Sequence, residues 1–130
     1  ARAVAKGIGT YLKTVDDWLG DREFQIAVIM YSGQFSKGKR DLAQRWMNAY
    51  VKGLEYHYSH GFKNDEELKI LGKWTKVPAN IIRKAIPAYL TRDGRVDIPS
   101  LEEAYQWYVK KGYTKVKISI REAVDQSFLK

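Results

Sequence analysis

The sequence feature that most constrains the fold is an uninterrupted apolar run near the amino-terminal end. Residues 24–31 read Phe-Gln-Ile-Ala-Val-Ile-Met-Tyr, and residues 26–31 within them are all apolar. A continuous run of this length, rich in β-branched residues, is typical of a strand that is buried on both faces of a sheet. The run therefore predicts a buried strand that needs neighbouring strands to cover it.

The rest of the chain offers few segments that could flank such a strand. Residues 11–15 (Tyr-Leu-Lys-Thr-Val) have the β-branched and aromatic content of a strand, and residues 116–120 alternate apolar with polar side chains over a short stretch. No run reaches the roughly 18 apolar residues that a membrane span requires. We therefore expect the 130 residues to form a single module, 1–130, that belongs to a larger protein.

Most of the remaining sequence predicts helices. Apolar residues recur at helical spacing over residues 39–59, and Asn64 with Glu67 forms a capping box for a helix that ends near Thr75. The other expected helices run from Pro78 to Pro87, from a Ser100–Glu103 capping box to Gly112, and for a turn or two after a Ser119–Glu122 cap. The expected fold is α/β and mostly helical, with one or two buried strands and four to five helices.

Helical spacing also assigns the aromatic side chains. Trp46, Trp74, Tyr105 and Tyr108 fall on the apolar faces of their predicted helices. We therefore interpret them as core residues and not as platforms on which nucleic-acid bases stack.

Composition and motifs disfavour an enzyme. The chain has no Cys, no phosphate-binding glycine loop and no serine in a nucleophile elbow. His57 and His60 are three residues apart, but no motif supplies the further ligands that a metal ion needs, and a packed, hydrogen-bonded His57 is the preferred interpretation. We expect no catalytic residues, no metal site and no cofactor.

The net charge of +8 raises the alternative of a basic helical module that binds nucleic acid. The densest basic motif is Lys37-Gly38-Lys39-Arg40, and the chain has no block of five or six like charges. A solvated, moderately basic surface is the preferred interpretation, and nucleic-acid binding remains the alternative.

Polar residues at the end of the buried run are the candidate binding residues. Tyr31 ends the predicted strand and Ser32 follows it, ahead of the helical region at residues 39–59. In open α/β sheets, ligands bind beyond the carboxyl ends of the strands, so Tyr31 and Ser32 are candidates for ligand contact. An ordinary strand-to-helix turn accounts for the same residues equally well.

The order of these segments resembles a known family. The resembling stretches are the run at 24–31, Leu-Ala-Gln-Arg-Trp at 42–46, Ile-Arg-Lys-Ala-Ile-Pro-Ala-Tyr at 82–89, Asp-Gly-Arg-Val at 93–96, Ser-Leu-Glu-Glu at 100–103, Gln-Trp-Tyr at 106–108 and Ile-Arg-Glu-Ala-Val-Asp-Gln-Ser-Phe at 120–128. Together they resemble the carboxy-terminal part of the substrate-binding proteins of ABC importers, in the type II periplasmic subgroup that handles nitrate, sulfonates, taurine and thiamine precursors.

The resemblance implies both an architecture and a role. Residues 1–23 would end the second lobe and cross over, and residues 24–130 would return to the first lobe. The protein would bind a small polar or anionic organic solute in an interlobe cleft, with Tyr31 and Ser32 nearest to it, and deliver the solute to a membrane permease. Its location would be periplasmic or otherwise extracytoplasmic, either free or held by a lipid anchor upstream of Ala1.

The predicted strand also favours a further alternative, which is self-association. An apolar strand with an open edge can pair with the same strand of a second copy. An interaction domain of this kind needs no ligand and no catalytic residue.

Overall fold

In the computed structural model, the described part of the chain is all-α, which corrects the α/β expectation. The structure describes residues 2–14, 16–20, 24–61, 64–86 and 89–129. Within these ranges the only regular elements are helices, and no strand is formed. Of the two expected strands, residues 11–14 and 24–31 are neither strand nor helix, and Val15 lies outside the described residues.

The expected strand at residues 24–31 fails for a physical reason. A strand is stable only when neighbouring backbone pairs with its N–H and C=O groups. In the described chain, the backbone N–H of Gln25 instead donates to the side chain of Ser100, at 2.9 Å. The prediction of burial is also wrong, because most side chains of residues 24–31 are exposed, and the partners that would make the run a strand are not among the described residues.

The helices are numbered here in chain order. They are α1 Arg2–Ala5, α2 Asp16–Leu19, α3 Gly33–Gly38, α4 Arg40–His60, α5 Asp65–Thr75, α6 Ala79–Ile82, α7 Ile98–Lys110 and α8 Ile120–Ala123. Neighbouring pairs pack together: α3 on α4, α5 on α6, and α7 on α8. The 21-residue α4 is the longest of these elements.

A small core lies along α4 and is closed by the carboxy-terminal segment. The apolar side chains buried among the described residues are Ala43, Leu54, Leu68, Ile82 and Phe128. The amide of Gln44, on α4, donates to the carbonyl oxygen of Phe128 at 2.7 Å. This bond holds the last turn of the described chain against the long helix.

Local capping signals were read correctly at three positions. The side chain of Asn64 accepts from the Glu67 N–H at 2.9 Å and begins α5. The side chain of Ser119 begins α8 in the same way, by accepting from the Glu122 N–H. Gly112 follows α7 with a φ of 72°, in the left-handed region that favours glycine, and thereby ends the helix.

Two predicted helix boundaries were wrong. Helix α7 begins earlier than expected, because Asp97 and not Ser100 is its N-cap, and the Asp97 side chain accepts from the Ser100 N–H. Ser100 is buried in the first turn. Helix α6 ends at Ile82, four residues before Ile86.

Three of the four aromatic residues assigned to the core are exposed. Trp74 is 76% exposed, Tyr108 is 50% exposed and Trp46 is 45% exposed, whereas Tyr105 is half-buried. Helical spacing identifies the apolar face of a helix correctly, but it does not show whether another element covers that face.

Candidate functional site

Tyr31, the first predicted binding residue, is held in place by both its ring and its hydroxyl. The hydroxyl donates to the carbonyl oxygen of Ala43, in the first turns of α4, at 2.9 Å. The ring packs edge-on against three aromatic rings, those of Phe35 at 5.0 Å, Trp46 at 5.8 Å and Phe128 at 5.4 Å between centroids. Burial raises the pKa of the Tyr31 phenol, so the hydroxyl remains a neutral hydrogen-bond donor.

Ser32, the second predicted residue, is exposed and caps α3. Its backbone is extended, and its hydroxyl oxygen accepts from the N–H of Phe35 at 3.2 Å. A serine hydroxyl that accepts one bond still has a proton to donate and a second lone pair. Ser32 therefore retains hydrogen-bonding capacity toward the solvent, beside the fixed ring of Tyr31.

The extended segment before Tyr31, residues 24–30, presents apolar side chains to the solvent. Met30 is 84% exposed and Ile26 is 76% exposed, and the partly exposed members are Phe24, Val28 and Ile29. Exposed apolar side chains that are contiguous in this way are typical of an interaction surface. Residues 24–30 are here called the apolar arm, and the Tyr31–Ser32 turn follows them directly along the chain.

Gln25 fixes the apolar arm to α7, and sequence reasoning missed it. Its side-chain oxygen accepts from the Asp97 N–H at 2.9 Å, while its own N–H donates to Ser100. The only signal in the sequence is one polar residue inside an apolar run. Its partners are more than 70 residues away, so no local pattern identifies them.

An open cleft lies beside the carboxy-terminal half of α4. It has a volume of about 780 Å³, and its lining residues are Val51, Glu55, Ser59, Tyr89, Thr91, Arg92 and Asp93. The Tyr58 hydroxyl donates to the Leu90 carbonyl oxygen, and the Arg92 guanidinium lies 5.3 Å from the centre of the Tyr58 ring. The cleft therefore offers both carboxylates and an arginine, none of which was a candidate binding residue in the sequence.

His57 is packed and hydrogen-bonded, as the sequence indicated. Its Nδ1 lies 2.5 Å from Oε1 of Glu67, and both side chains are largely buried. His60 makes a different hydrogen bond, in which its Nδ1 lies 3.1 Å from the carbonyl oxygen of Tyr56. In the described ranges, no three or more His, Cys, Asp or Glu side chains are grouped so that they could hold a metal ion.

The basic motif at residues 37–40 is partly used in packing. The Arg40 guanidinium lies 4.5 Å from the centre of the Phe128 ring and donates to the Ser127 hydroxyl at 3.2 Å. Arg40 therefore holds the carboxy-terminal segment against α4, and this contact disfavours the motif as a dedicated nucleic-acid site.

Comparison of the chain with protein-family models, curated proteins and solved structures finds no match. Among the helices of the described residues, none is both long and apolar enough to span a membrane. The functional argument therefore depends on the chain's own residues.

Proposed function

We propose that this chain is part of the solute-binding component of an ABC importer, and that the Tyr31–Ser32 turn faces the solute. The observation that carries the proposal is the contact between Tyr31 and Phe128, whose rings are 5.4 Å apart. These residues end the first and the last of the stretches that resemble the family. Their contact supports the interpretation of the whole sequence order as one functional unit.

Further long-range hydrogen bonds join the resembling stretches. Gln25 is bonded to the start of α7, and the Val96 N–H donates to the Gln126 side chain at 3.3 Å. Gln44 is bonded to the backbone of Phe128. Stretches that are far apart in sequence thus contact one another in the folded chain.

The apolar arm supports a role within a larger binding protein. Leaving side chains as apolar as Ile26 and Met30 in water forgoes burial worth about 2 kcal/mol each. Contact with the remainder of the binding protein would recover this free energy. The net charge of +8 favours a solute that is anionic, because a positive surface raises the local concentration of anions.

Solute binding by the 130-residue protein tests the proposal. The panel is nitrate, taurine, an alkanesulfonate and an aminopyrimidine, each followed by ligand-detected NMR. We expect one class to bind saturably, with a dissociation constant of about 1 mM. Ser32→Ala should weaken this binding about fivefold, because it removes one hydrogen bond.

Ser119→Ala is the matched control, since Ser119 also caps a short helix but lies far along the chain from Tyr31. It should leave solute binding unchanged. Absence of saturable binding across the panel, or equal weakening by Ser32→Ala and Ser119→Ala, would contradict the proposal.

Self-association through the apolar arm is the second candidate, and the exposure of Ile26 and Met30 favours it. Light scattering during size-exclusion chromatography would then show a dimer at micromolar protein, and Ile26→Lys with Met30→Lys would restore the monomer. A monomer at all concentrations would remove this candidate.

A further inference from the structure

The carboxy-terminal half of α7 is exposed to solvent. Residues 106–113 are all exposed, whereas the first half of the helix is half-buried or buried at most positions. The exposed part carries Trp107, Tyr108 and Val109, and Tyr113 follows immediately after the helix. Its apolar and aromatic content is unusual for a helix end that no described element covers.

The aromatic rings on this exposed segment form one cluster. The ring centroid of Trp107 is 5.3 Å from that of Tyr108 and 5.6 Å from that of Tyr113. Gly112 makes this arrangement possible, because its left-handed backbone turns the chain back and lets the Tyr113 N–H donate to the Tyr108 carbonyl oxygen at 3.0 Å. The cluster is therefore fixed by the backbone and does not depend on side-chain packing alone.

A second apolar segment lies beside α7. The Tyr105 hydroxyl donates to the Val116 carbonyl oxygen at 2.7 Å and accepts from the Ile118 N–H at 3.2 Å. These bonds hold residues 116–118 close to α7, with Val116 63% exposed and Ile118 49% exposed. We call Trp107, Tyr108, Val109, Tyr113, Val116 and Ile118 the aromatic tip.

Within residues 104–120, which carry the aromatic tip, the charged side chains have one sign. Residues 104–120 include no Asp or Glu, but they include Lys110, Lys111, Lys115 and Lys117. The Nζ of Lys111 lies 5.9 Å from the centre of the Trp107 ring, so positive charge directly adjoins the apolar cluster. A surface of this kind is complementary to a partner that is anionic at its surface and apolar just beneath.

We propose that the aromatic tip binds the surface of a membrane that contains anionic phospholipids. Tryptophan and tyrosine favour the headgroup region, where the ring is shielded from water and the polar atom stays wet. Lysines around them attract anionic headgroups while their stems cover apolar surface. Binding is peripheral, at the depth of the headgroups, and is separate from the Tyr31–Ser32 turn.

The exposed aliphatic residues favour a membrane over nucleic acid. Single-stranded nucleic acid binds mainly by stacking its bases on open aromatic faces. The rings of Trp107 and Tyr108 are 89° apart and pack edge to face, and Val116 and Ile118 offer no ring at all. Acyl chains and glycerol backbones can contact all of these side chains.

Sedimentation of the 130-residue protein with vesicles tests the proposal. We expect binding to phosphatidylcholine vesicles with about 30% phosphatidylglycerol to be at least about tenfold tighter than to phosphatidylcholine alone at low salt. Lys115→Glu with Lys117→Glu should weaken binding by about 25-fold or more, since each lysine near an anionic surface contributes about fivefold. Trp107→Ala with Tyr113→Ala should also reduce binding.

Lys52→Glu with Lys69→Glu is the matched control, because it makes the same change in net charge at exposed positions on α4 and α5. Circular dichroism confirms that each variant is folded. The proposal is overturned if no vesicle binds or if the two charge-reversal pairs weaken vesicle binding equally. It is also overturned if a single-stranded oligonucleotide binds more tightly than the vesicles and the same variants abolish that binding.

Fluorescence gives a second readout at the tip. Quenching by lipids brominated on the acyl chain should occur in the wild-type protein and fall strongly in Trp107→Phe, although three other tryptophans remain. Equal quenching in the wild type and in Trp107→Phe would place the contact elsewhere and overturn the proposal.

Discussion

The backbone N–H of Gln25 donates a 2.9 Å hydrogen bond to the side-chain oxygen of Ser100, across 75 residues of sequence. Ser100 is buried, and its own hydroxyl proton is donated to the Asp97 carbonyl oxygen at 3.1 Å. The serine thus joins the apolar arm to the first turn of α7. It links the Tyr31–Ser32 turn to the half of the protein that carries the aromatic tip.

Replacing Ser100 should release the apolar arm. Ser100→Ala leaves the Gln25 N–H without its partner, and we expect the free energy of unfolding to fall by about 1 to 2 kcal/mol. Hydrogen exchange measured by mass spectrometry should show faster exchange in residues 24–30 while α5 is unchanged. Equal protection of residues 24–30 in both proteins would contradict the role of Ser100.

The sequence allowed helices α4 to α8 to be predicted because their signals are local, whereas the short helices α2 and α3 were not predicted. Asn64 and Glu67 are three residues apart, and Ser119 and Glu122 have the same spacing, so each cap is complete within one turn. The cap of α7 was misassigned because Asp97 and Ser100, which lie three residues apart, are both residue types that commonly cap helices. The competition between them is decided by the distant Gln25, which binds Ser100.

The strand prediction was wrong because strand formation is not local. The run at residues 24–31 has the composition of a buried strand, but its state depends on whether other backbone lies alongside. Only part of the candidate site could be predicted from the sequence. Tyr31 and Ser32 were proposed from their position at the end of the run, and their role in binding stays a prediction. Gln25 and the cleft residue Arg92 depend on contacts that only the folded chain reveals.

The α5 cap should contribute measurably to stability. Asn64→Ala removes the acceptor of the Glu67 N–H, and we expect the free energy of unfolding to fall by about 1 kcal/mol. Asn80→Ala is the matched control, because Asn80 is exposed on α6. Urea unfolding followed by circular dichroism measures both variants, and equal midpoints would show that the cap contributes nothing.

The buried pair of His57 and Glu67 should be costly to break. His57→Ala leaves the Glu67 carboxylate in its buried position without the imidazole, and we expect the free energy of unfolding to fall by about 2 to 3 kcal/mol. Glu67→Gln keeps an acceptor oxygen near Nδ1 and should lose less. A larger loss for Glu67→Gln than for His57→Ala would mean that His57 is not the main partner of the carboxylate.

Tyr56 should titrate well above the ordinary pKa of a tyrosine. Its hydroxyl donates to the Glu66 carboxylate at 2.7 Å, and this bond raises the pKa of Tyr56 to about 12. Because the folded pKa lies above the ordinary value of 10.0, the bond stabilises the fold fully below pH 10 and is lost as the pH rises toward about 12.

Tyrosinate absorbance measures this titration, with Tyr56→Phe subtracted to isolate one of the nine tyrosines. Glu66→Ala should return the pKa of Tyr56 toward 10, whereas Glu55→Ala, at an exposed position on α4, should not change it. An unchanged titration in Glu66→Ala would exclude the carboxylate as the cause.

Phe128 should be the residue on which the carboxy-terminal segment most depends. It is 3% exposed, and its ring contacts both Tyr31 and the Arg40 guanidinium. Phe128→Ala leaves a cavity there, so we expect the free energy of unfolding to fall by about 3 to 4 kcal/mol.

Leu12→Ala is the control for Phe128→Ala, because Leu12 is 91% exposed and its replacement should change stability by less than about 0.5 kcal/mol.

Tyr31→Phe keeps the ring contact and removes only the bond to Ala43, so the free energy of unfolding should fall by about 1 kcal/mol. Because Tyr31 and Phe128 touch, Tyr31→Ala and Phe128→Ala should be non-additive in denaturant unfolding. Strict additivity would show that the two ends of the chain are stabilised independently, and it would remove the observation on which the proposed function depends.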